Sequence, residues 1–309
     1  MNIRNPKIAA ASYGQTPGET KAAAAAQEKN QAAHRKQTLG HIFLLWIPLV
    51  LFLIFLLFPF YWTLVTSLKT DAELHSLTVT YWPLQPTLQS YEHLFGQFNF
   101  LSPMKNSLIV ALITTVVSLT VSTLAAYAFS RFRFPGRRPL MVLFLTNNMF
   151  PTVLLLIPLF TIMRQMKLLY TPWALVLSYT TFTIPFSVWL LNGYLNDLPL
   201  SMEEAAMIDG ADRAKAFVRI VLPVLLPCLL ATGVYIFMQS WNEYTFAVLF
   251  TNEANRTIPV SLKMLVGQLG VQWDLITAGG IITVIPVCIM FFFAQKRLVA
   301  GLTAGAVKG

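Results

Sequence analysis

Charged side chains are scarce in this chain. Asp, Glu, Lys and Arg make up 11% of its 309 residues, whereas an ordinary soluble domain carries about 25%. Hydrophobic residues account for 56%. Because so few charges cannot cover a water-facing surface, the composition argues against a soluble fold and favours one built for the lipid bilayer.

The residue types that build disulfides, metal sites and nucleotide-binding loops are also rare. The two cysteines, Cys228 and Cys288, lie inside long apolar windows, so we predict no disulfide. None of the four histidines has a second ligand at metal-binding spacing, so no metal site is predicted. No Gly-Lys dipeptide occurs, so the chain lacks a phosphate-binding loop. We therefore predict no catalytic residue, metal or cofactor on this chain, and any ATP must be hydrolysed by a partner.

Long apolar windows are present instead. Residues 41–68 carry no Asp, Glu, Lys or Arg, and about 20 helical residues suffice to cross a hydrocarbon core of about 30 Å. Further apolar windows are residues 107–129, 140–163, 173–195, 224–250 and 276–294, of which only 224–250 contains a charged residue, Glu243. A buried soluble helix could explain one such window but not the whole set. Because a backbone in lipid must satisfy its own hydrogen bonds, we predict an all-α integral membrane protein with six transmembrane helices over residues 41–298.

The distribution of Lys and Arg predicts the orientation of these helices. With the N-terminus inside, most of the 22 basic residues fall in cytoplasmic segments. The exceptions are Lys69, Lys105, Arg164, Lys167, Arg256 and Lys263. Both termini are therefore predicted to be cytoplasmic, in a multi-pass membrane protein. The net charge of +9 then reflects positive-inside bias and anionic lipid, and no nucleic-acid partner is predicted.

The tail before the first window, residues 1–40, is rich in Ala, Gln and Lys and has almost no large apolar residues. Such a segment cannot bury enough surface to fold alone, so we predict a mobile cytoplasmic tail. No small-residue cleavage site follows the first window, so this window is predicted to be a retained helix and not a signal peptide.

The loop of residues 196–223, between the fourth and fifth windows, differs from the other loops. Ser201, followed three residues later by Glu204, forms a capping-box pattern that predicts the start of a helix. Gly210 predicts a left-handed stop, and Asp212 can cap a second helix. The loop is therefore predicted to form a helix-turn-helix.

The spacing in this loop carries a family resemblance. Glu204-Ala205-Ala206 is followed after three residues by Gly210, after nine more residues by Ile220, and after one more residue by Leu222-Pro223. This pattern resembles, at every fixed position, the signature loop of permease subunits in bacterial binding-protein-dependent ABC importers. The resemblance implies a type I importer permease fold whose loop docks on a cytoplasmic ATPase. The residues that it assigns to ATPase coupling are Glu203, Glu204, Ala205, Ala206, Asp209, Gly210, Ile220, Leu222 and Pro223. Without the resemblance, Ser201, Glu204 and Gly210 would only cap and end helices.

A second resemblance concerns carbohydrate importers. Residues 295–309 are similar to the C-terminal tail of the smaller permease subunit of the maltose-type system, and residues 127–134 and 241–243 are further family-like stretches. The resemblance extends over residues 43–309 and implies that the cytoplasmic tail of residues 299–309 extends between the ATPase subunits. The tail residues assigned to that contact are Thr303, Gly305, Lys308 and Gly309.

The resemblance also implies the location, which is the bacterial inner membrane, and the partners and the cargo. It predicts import of a sugar or oligosaccharide through a heterodimer with a second permease chain. Two ATPase subunits carrying ATP and Mg²⁺, and an external solute-binding protein, would complete the importer. A permease for another solute such as glycerol phosphate, a passive channel and an intramembrane enzyme are the alternatives. The sequence does not say which sugar is carried.

A polar stripe in the fifth window predicts part of the substrate pathway. Gln239, Asn242 and Glu243 stand at i, i+3 and i+4, with Tyr235 and Phe246 on the same helical face. Such a face would suit the apolar faces and hydroxyls of a sugar, although Glu243 could instead pair with the partner permease or join two helices. Further candidates in the third and fourth windows are Asn147, Asn148, Ser178, Thr181 and Thr183.

Overall fold

The computed structural model describes residues 43–147, 149–267 and 270–306, with side chains described as far as residue 295. Almost all of the regular structure is helical. The helices α1 to α7 are Phe43–Ser67, Asp71–Leu74, Gln89–Gly96, Leu101–Arg131, Arg137–Asn147, Leu156–Gln165 and Pro172–Asp197. The helices α8 to α13 are Ser201–Ile208, Arg213–Ala216, Leu222–Trp241, Ala247–Phe250, Ile258–Met264 and Trp273–Ala306. Two short antiparallel strands, β1 (Val266–Gly267) and β2 (Gly270–Val271), precede α13.

Among the described residues, five helical segments are long and apolar enough to cross a membrane. They are α1, α4, α7, the stretch Arg213–Trp241 that ends with α10, and the Trp273–Gln295 part of α13. A sixth span is reached if α5 and the stretch Thr152–Gln165, which meet at 99°, count as one. The structure thus confirms a helical protein with membrane-length helices, five or six in number.

The predicted span over residues 140–163 is broken into two helical parts. Helix α5 ends at Asn147, a single 3-10 turn covers Thr152–Leu155, and α6 begins at Leu156. Pro151 stands directly before the 3-10 turn in an extended conformation. Proline has no N–H and disfavours the helical conformation of the residue before it, so Pro151 favours a break here, although α7, α10 and α13 continue through Pro185, Pro227 and Pro286.

The prediction of one helix over residues 224–250 is wrong. Helix α10 ends at Trp241, and only the four residues of α11 return to helical geometry. Trp241, Phe246 and Phe250 are all at most 2% exposed, so the chain turns in order to bury all three rings. The predicted polar stripe therefore does not lie on a single helix.

The core is built where α4 packs against α7 and α10. The buried face of α4 carries small and hydroxyl side chains at helical spacing, among them Ala111, Ser118 and Ser122. Ser118 Oγ and Thr183 Oγ1 of α7 lie 2.8 Å apart, and Ser122 Oγ donates to the Ile184 carbonyl at 3.4 Å. Small side chains let helices approach closely, and the hydroxyls satisfy one another across the interface, as is usual for helices packed in lipid.

The chain divides into two compact units, Met1–Trp62 and Thr63–Gly309. In the first unit the described residues belong to α1, whose apolar composition suits contact with lipid. The second unit contains all the other elements. The predicted domain boundary at residue 40 lies outside the described residues. The backbone of α13 passes residue 298 without a break, and both boundaries stay predictions.

Candidate functional site

Helix α8 opens the segment between the two long helices α7 and α10. The capping box predicted at Ser201 and Glu204 is wrong, because Ser201 lies inside the first turn and Leu200 is the N-cap, with no side-chain hydrogen bond. The carbonyl of Pro199 accepts from Met202 N–H, and that of Leu200 accepts from the N–H groups of Glu203 and Glu204. The turn at Pro199 and Leu200 thus starts the helix with backbone atoms alone, and the Glu204 side chain stays exposed.

The predicted stop and the second cap are confirmed. Gly210 has φ of +88°, Ala211 N–H donates to the Ala206 carbonyl at 3.0 Å, and Gly210 N–H donates to that of Met207 at 3.1 Å. This pair of bonds is the Schellman arrangement, which ends a helix at a residue in the left-handed region. Asp212 Oδ1 then accepts from Lys215 N–H at 2.7 Å and caps α9. Helices α8 and α9 thus form a helix-turn-helix, called the elbow below (residues 201–216).

Glu203 attaches α8 to the helical bundle. Its carboxylate is paired with Arg131 Nε at 2.5 Å and accepts from the Tyr127 hydroxyl at 2.7 Å. Arg131 Nη1 also donates to the Leu195 carbonyl at 2.9 Å, and Nη2 donates to the Leu198 carbonyl at 3.3 Å. The side chains of Arg131 and Glu203 are only 9% and 5% exposed. The pair therefore joins the end of α4, the end of α7 and the start of α8.

The other residues predicted to couple to an ATPase are more exposed than Glu203. Glu204, Ala205, Asp209 and Gly210 are exposed on the elbow. Ala206, Ile220 and Leu222 are half-buried, and Pro223 is exposed at the start of α10. Ile208 on the same surface is 86% exposed, so the elbow presents a large apolar side chain that contact with another protein would bury. Ile208 was missed because it occupies no fixed position of the sequence pattern.

A cavity of about 240 Å³ lies between α7 and the region where α10 ends. Five of the predicted pathway residues line it: Thr183, Tyr235, Gln239, Glu243 and Phe246. The additional lining residues are Thr152, Tyr179, Phe182, Ser240 and Thr245. Tyr179, Phe182 and Thr183 stand at i, i+3 and i+4 on α7, so helical spacing in the fourth window could have identified the two aromatic residues that the sequence analysis missed.

Glu243 has a structural task in this cavity. Its two carboxylate oxygens accept from Phe246 N–H at 3.0 Å and from Ala247 N–H at 3.2 Å, which are the first donors of α11. A carboxylate near a helix N-terminus satisfies donors that have no partner within the helix. Gln239 Nε2 donates to the Tyr235 hydroxyl at 3.2 Å, and the Tyr235 ring lies 4.6 Å from that of Phe186. The cavity wall therefore combines aromatic rings with an amide and a carboxylate.

The remaining pathway candidates lie elsewhere. Asn242 does not line this cavity, and its Nδ2 donates to the Met238 carbonyl. Asn147 lines a second, mostly apolar cavity of about 480 Å³ beside Pro185, and Asn148 lies outside the described residues. Ser178 and Thr181 bond to carbonyls of their own helix.

The predicted C-terminal contact residues are described only in part. Thr303 and Gly305 belong to the helical backbone of α13, whereas Lys308 and Gly309 lie outside the described residues. Within the part of the chain that the structure describes, no group of three or more His, Cys, Asp or Glu side chains is placed to hold a metal ion.

Comparison with known proteins gives consistent matches. A family model described as a binding-protein-dependent transport system inner membrane component matches residues 118–304. The inner membrane ABC transporter permease protein YcjP of Escherichia coli is 39% identical, with 90% of this chain and 100% of that protein covered. The trehalose/maltose transport system permease protein MalG of Thermococcus litoralis is 38% identical, with 89% and 99% covered. The sulfoquinovosyl glycerol transport system permease protein SmoH of Agrobacterium fabrum is also 38% identical, with 82% and 89% covered.

The fold is similar to that of a solved transporter. A chain of a bacterial ABC transporter involved in the import of the acidic polysaccharide alginate aligns with a TM-score of 0.69 at 23% sequence identity. The alignment covers 81% of this chain and 93% of that one. This likeness concerns the arrangement of the helices.

Proposed function

The chain belongs to the family of binding-protein-dependent transport system inner membrane components, and from this premise we propose that it is the permease subunit of an ATP-driven importer of sugars or oligosaccharides. The observation that carries the proposal is the elbow, a capped helix-turn-helix with an exposed outer surface between two membrane-length helices. Relatives whose names specify trehalose, maltose and diacetylchitobiose transport support the sugar class. The relatives are named as permease proteins, so the intramembrane enzyme has no support.

The proposed assembly has two permease chains in the membrane and two ATPase subunits in the cytoplasm. This chain, in a type I importer fold with six spans, forms half of the pathway, and a second, different permease chain forms the other half. Two ATPase subunits, which carry ATP and Mg²⁺, dock on the elbow and its counterpart, and an external solute-binding protein delivers the cargo. Both termini face the cytoplasm, as the distribution of Lys and Arg favours. The end of α13, with Thr303 and Gly305, reaches toward the ATPase pair.

The proposed transport step follows from the elbow's position. Closure of the ATPase subunits moves the elbow, which tilts α4, α7 and α10 and opens the cavity of about 240 Å³ to the outside. Tyr179, Phe182 and Tyr235 offer rings for the apolar faces of a sugar, and Gln239 offers an amide for its hydroxyls. Glu243 is the one charged residue among the described residues that line this cavity, and an anionic cargo would meet repulsion there. This charge favours neutral sugars over glycerol phosphates.

Transport by purified components tests the proposal. Proteoliposomes containing the two permease chains and the ATPase subunits, with binding protein outside and ATP inside, are expected to accumulate one of radiolabelled maltose, trehalose or diacetylchitobiose. Omission of ATP or of the binding protein should abolish this uptake. Uptake that continues unchanged without ATP would support the passive channel, and accumulation of glycerol phosphate in place of any sugar would contradict the substrate class.

A further inference from the structure

Glu203 is unusual within the elbow because it is the one buried residue of α8. The apolar residues of that helix, including Met202 and Ile208, are exposed or half-buried. A surface helix is ordinarily held to its protein by an apolar stripe. Here the buried anchor is a carboxylate, which is costly to bury without a partner.

Arg131 compensates the buried charge of the Glu203 carboxylate through directional hydrogen bonds. Its guanidinium is planar, and its separate N–H groups meet Glu203, the Leu195 carbonyl and the Leu198 carbonyl at the same time. The Leu195 carbonyl belongs to the last turn of α7 and Leu198 is the C-cap that follows it, so the guanidinium lies at the C-terminal end of this helix, where the helix dipole favours a cation. Arg131 thus contacts the end of α7 and holds α8 with one side chain.

The second half of the elbow is held differently. The Phe217 ring, just after α9, lies 4.6 Å from the Tyr127 ring, and the Arg213 guanidinium lies 5.3 Å from the centre of the Phe132 ring. These ring and cation–π contacts contain no hydrogen bond, whereas the buried Arg131–Glu203 pair is held by directional, charge-assisted hydrogen bonds. The fixed attachment of the elbow is therefore at its first helix.

From these contacts we propose that Arg131 and Glu203 are positioning residues for coupling: they transmit displacement of α8 to the ends of α4 and α7. The inference rests on the proposed function of the elbow. The pair touches neither cargo nor nucleotide. It makes the start of the elbow and the ends of two long helices move as one body, so that ATPase motion reaches the cavity between α7 and α10.

The test distinguishes a loss of coupling between ATP hydrolysis and transport from a loss of complex assembly. Glu203→Gln and Arg131→Gln remove one charge each. Arg131→Lys keeps the charge but loses the planar set of donors. Asp197→Asn and Arg133→Gln serve as matched controls, because both side chains are exposed and lie close in sequence to the pair. The measured quantity is the sugar transported per ATP hydrolysed, in reconstituted importer complexes normalised for the amount of assembled complex.

The neutral variants Glu203→Gln and Arg131→Gln are expected to lower this ratio about tenfold. An effect of this size is typical of coupling between two sites in a protein. ATP hydrolysis without binding protein should persist, Arg131→Lys should fall between wild type and Arg131→Gln, and both controls should match wild type. A normal ratio in complexes that form in reduced amounts would assign the pair a folding role only and overturn the inference. If the wild-type complex itself shows no ATP-driven uptake, the proposed function is wrong; if wild type transports and Glu203→Gln keeps its ratio, the positioning role alone is wrong.

Discussion

Replacement of Gly210 by valine is expected to abolish stimulation of ATP hydrolysis by the loaded binding protein and to abolish uptake. The residue has φ of +88°, and a β-branched side chain in this region costs about 1–3 kcal/mol of strain. No heavy atom lies within 4 Å of a Cβ placed at this position, so the strain comes from the backbone and not from crowding. The chain should relieve it by unwinding the Schellman turn, which would disturb the outer surface of the elbow.

Gly210→Asn is the informative companion variant, because asparagine tolerates the left-handed region better than other side chains. It should retain a substantial part of the stimulation, whereas Gly210→Val should not. Gly193→Val is the control for adding the same side chain to a glycine with open space around it, on α7. All three variants should insert into the membrane like wild type. Full stimulation in Gly210→Val would show that the shape of this turn has no part in coupling.

Replacement of Glu243 by alanine is expected to reduce both the stability of the permease and its transport rate. The carboxylate accepts from two backbone N–H groups at the start of α11, and a buried donor left without an acceptor costs about 1–3 kcal/mol. Glu243→Gln should have an intermediate effect, since an amide has a single acceptor oxygen. The readouts are the thermal midpoint of the detergent-purified complex and the initial rate of sugar uptake.

Glu253→Ala controls for the loss of a nearby acidic side chain, because Glu253 is exposed in the loop after α11. Its thermal midpoint should equal that of wild type. If Glu243→Ala also leaves the midpoint unchanged while uptake is lost, then Glu243 acts on the cargo alone, and the capping role argued from its two hydrogen bonds is incorrect.

Local sequence signals predicted the elbow well where a residue's own backbone preference decides the structure. Gly210 is favoured in the left-handed region, and the Asp212 carboxylate reaches an N–H three residues ahead, so both features follow from nearby residues. The cap predicted at Ser201 is wrong because Ser201 does not decide where this helix starts. The Pro199–Leu200 turn already supplies carbonyl acceptors one residue earlier, and the start of a helix depends on where the backbone turns.

The break after α10 could not be predicted from helical periodicity. No Gly or Pro stands between Trp241 and Phe246, and the polar spacing there fits a continuous helix. The turn is stabilised by tertiary burial of the aromatic rings and by the Glu243 carboxylate, which compensates the backbone donors that the break exposes. In the same way, Arg131 and Glu203 are separated by 72 residues, and only the packing of α4 against α7 and α8 brings them together.

Contact between the elbow and an ATPase is the central claim, and site-specific photo-crosslinking at Ile208 tests it most directly. This side chain is 86% exposed, and a photoreactive amino acid there should leave the buried contacts of α8 intact. Leu77, exposed in the loop between α2 and α3 that is predicted to face outward, is the control position. In membranes that contain the whole importer, the Ile208 position is expected to crosslink to an ATPase subunit, and the Leu77 position is not. An Ile208 probe that captures no ATPase, or a Leu77 probe that captures one, would contradict the account.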